Sequence, residues 1–492
     1  MMSLAEAAAA ANARLIGSDA RFGGVSTDSR GLASDELFIA IRGERFDGHA
    51  FLGAAKQRGA AGAMVDERYA GAAPLPLLVV EDTRRGLGRL GARWRERFSP
   101  VVIAVTGSNG KTTTKEMLAS ILAAHAGENR VLATRGNLNT DIGVPLTLLG
   151  MRSEHRYCAV ELGMNHPGEI ADLAALTKPT VALVTNAQRE HMEFLQTVEA
   201  VAAENASVFD ALPADGTAVW NADDPHAGYF RSRAAGRRSV DFGMDRAAAV
   251  GGTCALTALT SEIRVRTPAG DAAAALVIPG IHNVRNALAA SACAFAAGIP
   301  PQAIAAGLRA FRPYTGRSQV VRLATGATLI NDSYNANPDS VRAAIDVLAA
   351  TGRDTVLVLG DMAEVGEQGP DFHLEVGRFA AERGIGALYA LGEQTAHAVA
   401  GFGSGARHFA SVEELIEAVR GTAARGATLL VKGSRFMRME RVVAALAGTV
   451  DGAHLCCSSS PSGSRAKCAC STSSTTSRCA RCSPVSPRLR SR

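Results

Sequence analysis

Apolar, β-branched runs alternate along most of this chain with Ala-rich stretches whose apolar residues return every three or four positions. The first kind reads as buried strand and the second as helix, and their alternation predicts parallel sheets covered by helices. The runs VVIAV (101–105), YCAVEL (157–162), TVALVTN (180–186), TVLVLGD (355–361) and TLLVKGS (428–434) each end in polar or glycine residues. Ligands in such sheets bind beyond the carboxyl ends of the strands, so these ends are candidate walls of a site.

Two breaks divide the pattern. PLPLLVVEDTRRGLG, with its two prolines, closes a first domain near residue 84, and FRPYTGRSQ (311–319) separates an Ala-rich helix from a new strand, TLINDSY. The predicted domains are therefore 1–84, 85–314 and 315–450, with no internal repeat of fixed period. A chain of 492 residues is too long for a single core, in keeping with that division.

The pattern stops after MERVVAALAG. Residues 451–492 are mostly Ser, Thr, Arg and Pro and hold Cys456, Cys457, Cys468, Cys470, Cys479 and Cys482. Cys479 and Cys482 have zinc-knuckle spacing, but no apolar periodicity surrounds them to build a metal domain. This tail reads as disordered or translated out of frame, and it is set aside from the fold.

Charge changes the picture only through the tail. The whole chain carries +5; the tail's six Arg and one Lys against Asp451 make +6, which leaves −1 on residues 1–450. A near-neutral body offers no electrostatic footprint for a polyanion, which argues against a nucleic-acid partner. With 47% apolar and 20% charged residues, no apolar run of membrane-spanning length, and Glu6 preceding the first basic residue, the sequence predicts a cytoplasmic chain. The scattered Cys158, Cys254 and Cys293 suit a reducing compartment.

Chemistry enters at TGSNGKTT (106–113). A strand runs into a Gly-rich turn and then into a helical pattern, so backbone N–H groups and a helix N-terminus face an anion. The usual G-x-x-x-x-G-K-[ST] pattern wants glycine at Val105, whereas this chain offers Gly107, followed by Ser108, Asn109, Gly110, Lys111, Thr112 and Thr113. Lys111 can reach terminal phosphates, and Thr112 can place its hydroxyl on magnesium. Glu161 ends the next strand, placed to hold a metal ion directly or through water. The strand after that ends in TNAQREHMEF, which brings His191 to the same rim. Lys/Thr, Glu and His from three successive strand ends make a site for MgATP with its γ-phosphate presented for transfer.

TGSNGKTT, VELGMNHPGEI, TNAQREH, GIHNVRNALAA, GRSQ, NDSYNANP, LGDMAEVGE and VKGSR, in this order, resemble the Mur ligase family of peptidoglycan synthesis over residues 3–448. In that family the loop is G-x-x-G-K-T-T, so the displaced glycine is its normal form. The resemblance implies an α/β fold of three domains: a small mixed N-terminal α/β domain, a central P-loop ATPase-like parallel-sheet domain, and a C-terminal Rossmann-like domain. It is greatest to the members that join D-alanyl-D-alanine to UDP-N-acetylmuramoyl-tripeptide, with ATP and Mg2+, through an acyl phosphate. The resemblance also implies that the enzyme acts as a monomer. Lys111, Glu161, His191 and Arg317 would be catalytic, and Thr112, Glu161 and His191 would hold metal. Asn283 and Asn286 would lie beside adenine, while Arg317 and Asp332 reach the phosphates and ribose. Thr27, Ser29 and Arg30 of VSTDSR and Gly43, Asp47, Gly48 and His49 of FIAIRGERFDGH would bind the uridine nucleotide. Asn137, Asn139 and Thr140 would line the passage to the peptide carboxylate; Asn335, Asn337 and Asp361 would lie near the incoming dipeptide. Lys432 and Arg435 stay open between a site role and exposed charge.

One position departs from the family. Many members carry a lysine, carbamylated to an anion, fourteen residues after the motif histidine; here that position is Asn205. Asparagine offers a carbonyl oxygen but no charge, and the adjacent Glu204 points about 100° away on a helix. Activity is therefore expected not to require bicarbonate. Three other readings share parts of the pattern: a folylpolyglutamate synthase-like ligase, a P-loop NTPase without an amine acceptor, and a non-catalytic binding module using the basic tail.

Overall fold

The computed structural model describes residues 1–448 except 44, 45 and 353; the tail and its Cys479–Cys482 pair lie outside the described residues. The N-terminal sheet has the strand order Arg14–Ile16, Leu77–Val80, Gly62–Asp66, Glu36–Ile39, Gly24–Ser26, parallel except for its first pair. The central sheet is wholly parallel, in the order Arg238–Phe242, Thr217–Asn221, Val181–Val184, Val101–Thr106, Tyr157–Glu161, Val131–Ala133. In the C-terminal sheet the order is Gln319–Arg322, Thr328–Asp332, Thr428–Lys432, Thr355–Gly360, Ala387–Leu391, Ala406–Phe409, with only the first pair antiparallel. The five apolar runs singled out in the sequence are all strands of the two larger sheets.

Val101–Thr106 shows why those runs are apolar throughout. Val102 and Ala104 face a core shared with Leu87, Leu90 and Trp94 of the helix Thr83–Arg95, and Ile103 and Val105 face the helices Lys111–Ala126 and Ile281–Ala296. Each such buried Val or Ile contributes roughly 1.5–3 kcal/mol. Val105, where the usual pattern wants glycine, is fully buried and pairs with both Glu161 and Leu183. The tight turn therefore begins only after the strand ends, and glycine is needed at 107 instead.

The hydrophobic pattern does not predict the antiparallel sheet Gly251–Leu256, Ser261–Thr267, Gly270–Leu276. GDAAAAL looks helical by composition, yet Ala272, Ala274 and Leu276 are buried while their neighbours are exposed. Pairing with the alternating strand Ser261–Thr267 overrides the helical propensity of alanine. Among the described residues no helix is long and apolar enough to cross a membrane.

Candidate active site

The turn after Val101–Thr106 is built around two glycines with positive φ, Gly107 at 125° and Gly110 at 85°. A Cβ on Gly107 would lie 2.1 Å from Thr185 Oγ1, and one on Gly110 2.1 Å from Asn286 Oδ1. Only glycine fits both the backbone and the space. Asn109 is fixed on all sides: its N–H donates to Asn186 Oδ1 (2.9 Å), and its carbonyl accepts from Thr185 Oγ1 (2.9 Å) and Asn186 Nδ2 (3.0 Å). Lys111, Thr112 and Thr113 open the helix Lys111–Ala126, and their N–H groups precede the first helical acceptor, so they are free to bind an anion.

Thr112 and Glu161 meet at the end of the turn. Thr112 Oγ1 donates to Glu161 Oε1 (3.2 Å), and Asn139 Nδ2 donates to the same oxygen (2.9 Å). Glu161 is 2% exposed, and its Oε2 is buried with no partner. An orphaned carboxylate oxygen beside a hydroxyl suits a hard cation such as magnesium, which keeps most of its ligands as water and phosphate. Among the described residues no three His, Cys, Asp or Glu side chains converge as a metal cluster, so the chain's own donors there are few.

Lys111 does not wait free in the turn. Its Nζ donates to Gly107 O (2.6 Å), Ser108 O (3.2 Å) and both oxygens of Glu190 (2.9 and 3.1 Å). Glu190, absent from the predicted site, is 8% exposed and occupies the anion position opposite the lysine. Beside it, His191 has φ 52°, and its Nδ1 lies 2.6 Å from Glu364 Oε2 without the alignment of a hydrogen bond. The imidazole holds the Glu364 carboxyl below the usual carboxylate range.

These groups line one cavity of about 1190 Å³ with Ser108, Asn109, Gly110 and Thr113 of the turn and with Asn137, Asn139 and Thr140. Asn283 and Asn286 line it too, joined by a 3.2 Å hydrogen bond. Neither caps a helix: Gly280 is the N-cap of Ile281–Ala296. The neighbouring His282 is pushed down to about 4 by burial. The C-terminal domain supplies the opposite wall with Arg317, Asp332, Asn335 and Asn337. Arg317 stacks 4.2 Å from the centre of the Tyr334 ring, its Nε buried without a partner. Asp332 accepts from Ser318 N (2.9 Å) and pairs with Lys432, which is itself buried and whose ammonium burial pushes down. Lys432 and Arg435 both line the cavity, Lys432 as a buried group and Arg435 with a side chain 62% exposed and paired with Glu440.

Asp361 does not line the cavity. Its carboxylate accepts from Thr395 N (2.8 Å) at the start of the helix Thr395–Phe402, and its carbonyl accepts from Ser434 N (2.9 Å). A carboxylate at a helix N-terminus stabilises the helix and is spent there. Asn205 is also outside the cavity, 1% exposed, taking Thr106 Oγ1 on Oδ1 (2.7 Å) and giving Nδ2 to Val201 O (3.0 Å). Glu204 turns the other way, as expected, onto Gly168 N and Ile170 N (both 2.8 Å).

The N-terminal group lies apart from this cavity. His49 is buried, with Nδ1 2.6 Å from Asp47 Oδ1 and Nε2 accepting from Asp66 N (3.0 Å); Arg42 Nε pairs with Asp66 (3.0 Å). Gly48 is required because a Cβ would lie 2.7 Å from the backbone of Ile41. The N–H of Gly43 donates to Phe46 O (2.9 Å), Thr27 and Ser29 are half-buried, and the exposed Arg30 pairs with Asp28 (2.9 Å). Asp66 and Arg42 were not predicted; the carboxyl-end position of Asp66 on the strand Gly62–Asp66 was the available signal.

Three family models match this chain: "Mur ligase family, catalytic domain" over residues 21–95, "Mur ligase middle domain" over 105–294, and "Mur ligase, glutamate ligase domain" over 316–435. UDP-N-acetylmuramoyl-tripeptide--D-alanyl-D-alanine ligase of Escherichia coli (strain K12) is 40% identical over 439 residues, covering 88% of this chain and 96% of that protein. A crystal structure of MurF from Acinetobacter baumannii superposes with a TM-score of 0.82 at 34% identity, covering 90% of this chain and 98% of that one. MurF ligase from Thermotoga maritima, solved in complex with ADP, has a TM-score of 0.76 at 24% identity over 87% and 97% of the two chains, a likeness of fold.

Proposed function

Since the chain belongs to the Mur ligase family, we propose that it is an ADP-forming ligase that joins D-alanyl-D-alanine to UDP-N-acetylmuramoyl-tripeptide in cytoplasmic peptidoglycan precursor synthesis. The observation that carries this reading is the single cavity in which Lys111, Thr112 and Glu161 face Arg317 and Asn335 of another domain. A phosphate-binding turn opposed by a second polar wall suits transfer of a phosphoryl group to a bound acceptor rather than to water.

A carboxylate is a poor electrophile, because an amine would have to expel oxide from an anionic group. In the proposed reaction a tripeptide carboxylate oxygen bonds to the γ-phosphorus of ATP as the bond to ADP breaks. The amine of D-alanyl-D-alanine then bonds to the acyl carbon, phosphate leaves with that oxygen, and the amine proton passes to solvent. Lys111 leaves Glu190 for the transferring phosphoryl group, and the free amides of Lys111, Thr112 and Thr113 hold its neighbours in line. Thr112 and the unpartnered Glu161 Oε2 would hold Mg2+, which when bound offsets phosphate charge. Asn139, already bonded to Glu161, orients that carboxylate and lies at the entry for the peptide. His191 stands at the same rim.

In this reading residues 1–84 hold the uridine nucleotide, 85–314 hold ATP, and 315–450 bring the dipeptide and close the cavity against water. One chain supplies every wall of that cavity, in keeping with a monomer. The named relative at 40% identity favours this over a folylpolyglutamate synthase-like ligase. Purified nucleotide tripeptide, D-alanyl-D-alanine and MgATP are expected to give amide and ADP in equal amounts. ATP hydrolysis at a rate indifferent to the dipeptide would favour the NTPase reading instead.

A further inference from the structure

The segment 187–191 touches both sides of the cavity. Toward the phosphate turn, Gln188 N donates to Ser108 Oγ (2.9 Å), Gln188 Oε1 accepts from Asn109 Nδ2 (2.7 Å), and Glu190 holds Lys111. Toward the C-terminal domain stands Arg189, which the reaction itself does not use. Its backbone N–H donates to Asp339 Oδ2 (2.9 Å), one terminal nitrogen bonds Asp339 Oδ1 (2.7 Å), and the other bonds Glu375 Oε2 (2.7 Å). Asp339 lies in the first turn of the helix Pro338–Ala349 and Glu375 in the helix Gly369–Glu382, so one guanidinium pins two helices of the other domain. Phe372 lies under it at 5.1 Å, and Arg342 shares Glu375 at 3.0 Å. Burial works against the charge on Arg189, yet the two carboxylates more than offset this and its pKa is raised. Forked geometry of this kind is specific to arginine.

We infer that Arg189 is a positioning residue that couples seating of the C-terminal domain to the phosphate turn. When the domain is seated, Asp339 and Glu375 fix Arg189, and the chain beside it fixes Gln188 against Ser108 and Asn109 of the turn and keeps Glu190 near Lys111, which leaves it for the phosphoryl group. When the domain lifts, the same five residues lose their outer anchor, and the bonds from Gln188 to Ser108 and Asn109 no longer hold the turn in place. Phosphoryl transfer is thereby confined to the closed enzyme, where an acyl phosphate is shielded from water and the amine site is assembled. This inference rests on the ligase reading for its kinetic consequence but not for its structural one.

The test compares Arg189→Ala, Asp339→Ala and the double variant with the wild type. ADP affinity is expected to stay within about twofold, because the turn itself is unchanged. Amide formation is expected to fall on the order of tenfold, the scale of a typical coupling between sites. Phosphate released per amide should rise above one, as acyl phosphate leaks to water. The double variant should be no slower than the worse single one. Additive losses, or one phosphate per amide throughout, would overturn the inference, since a merely destabilised enzyme slows without changing that ratio. Small-angle scattering separates the two readings: with ADP and Mg2+ the wild type should be more compact than Arg189→Ala. If the wild type forms no amide the ligase reading falls, and equal radii of gyration would overturn the coupling by themselves.

Discussion

Replacing Lys111 by alanine separates its role toward phosphate from its role toward Glu190. In the structure the two side chains form an ion pair at 2.9 Å with exposures of only 13% and 10%. Removing the lysine leaves the Glu190 carboxylate little exposed and without its cation. Fully buried pairs broken this way cost about 3–5 kcal/mol; because this one faces an open cavity that water can enter, about 1–3 kcal/mol is expected. Toward the reaction, loss of one cation aimed at the transferring phosphoryl group is worth about 3–4 kcal/mol, or roughly 10²–10³ in rate. Lys111→Ala should therefore be both less stable and nearly inactive. The variant Lys111→Ala/Glu190→Ala removes the orphaned charge as well, so it should regain the urea midpoint of the wild type while remaining as slow as Lys111→Ala. Recovery of ligation in the double variant would refute the reasoning, because Lys111 would then serve only to neutralise Glu190.

Three further outcomes are expected. Turnover after rigorous removal of carbon dioxide should be unchanged, because Asn205 offers no amine to carbamylate and both its polar atoms are bonded within the protein; strong rescue by bicarbonate would contradict this. Gly107→Ala should lower ATP affinity at least tenfold in a binding titration, since its Cβ would sit 2.1 Å from Thr185 Oγ1 in a backbone with φ 125°, a combined strain of about 2 kcal/mol or more; unaltered binding would show the turn to be pliable. His282 lies near 4 when folded and near 6.5 when unfolded, so on acidification it is the unfolded chain that takes the proton first. Its contribution is full above pH 6.5 and is lost progressively down to about pH 4, amounting to about 2 kcal/mol by pH 5. Urea midpoints at pH 7 and pH 5 should therefore differ more for the wild type than for His282→Asn, and equal differences would remove this role for the half-buried imidazole.

How much of this was legible without coordinates varies by residue. Strands such as Val101–Thr106 and Thr428–Lys432 were readable because a strand buried on both faces is apolar on both faces along its middle, with polar residues only at its ends. The alanine strand Gly270–Leu276 was not, since its partner rather than its own composition selects the extended form. Within the site, Thr112 and Glu161 could be expected on one rim because the turn that leads to Thr112 and Glu161 itself lie at carboxyl ends of adjacent parallel strands. Glu190 was hidden in the quoted TNAQREH: nothing local distinguishes a carboxylate turned onto Lys111 from one in solvent. Asp361 shows the converse, as a strand-end aspartate can face a ligand or bind a helix N-terminus, and tertiary structure turns this one toward Thr395 N. Lys432, left open by sequence, is buried beside Asp332 on the wall of the cavity, which excludes only the reading as exposed charge.

Activation of the acid by phosphate can be followed with oxygen-18 in the reacting carboxyl of the tripeptide. With MgATP and D-alanyl-D-alanine, the proposed chemistry predicts that each phosphate released during amide formation carries one labelled oxygen by mass spectrometry. Phosphate free of label, with amide still formed, would mean that the carboxylate never bonded to phosphorus, and the role assigned to Lys111, Thr112 and Glu161 would fall with it.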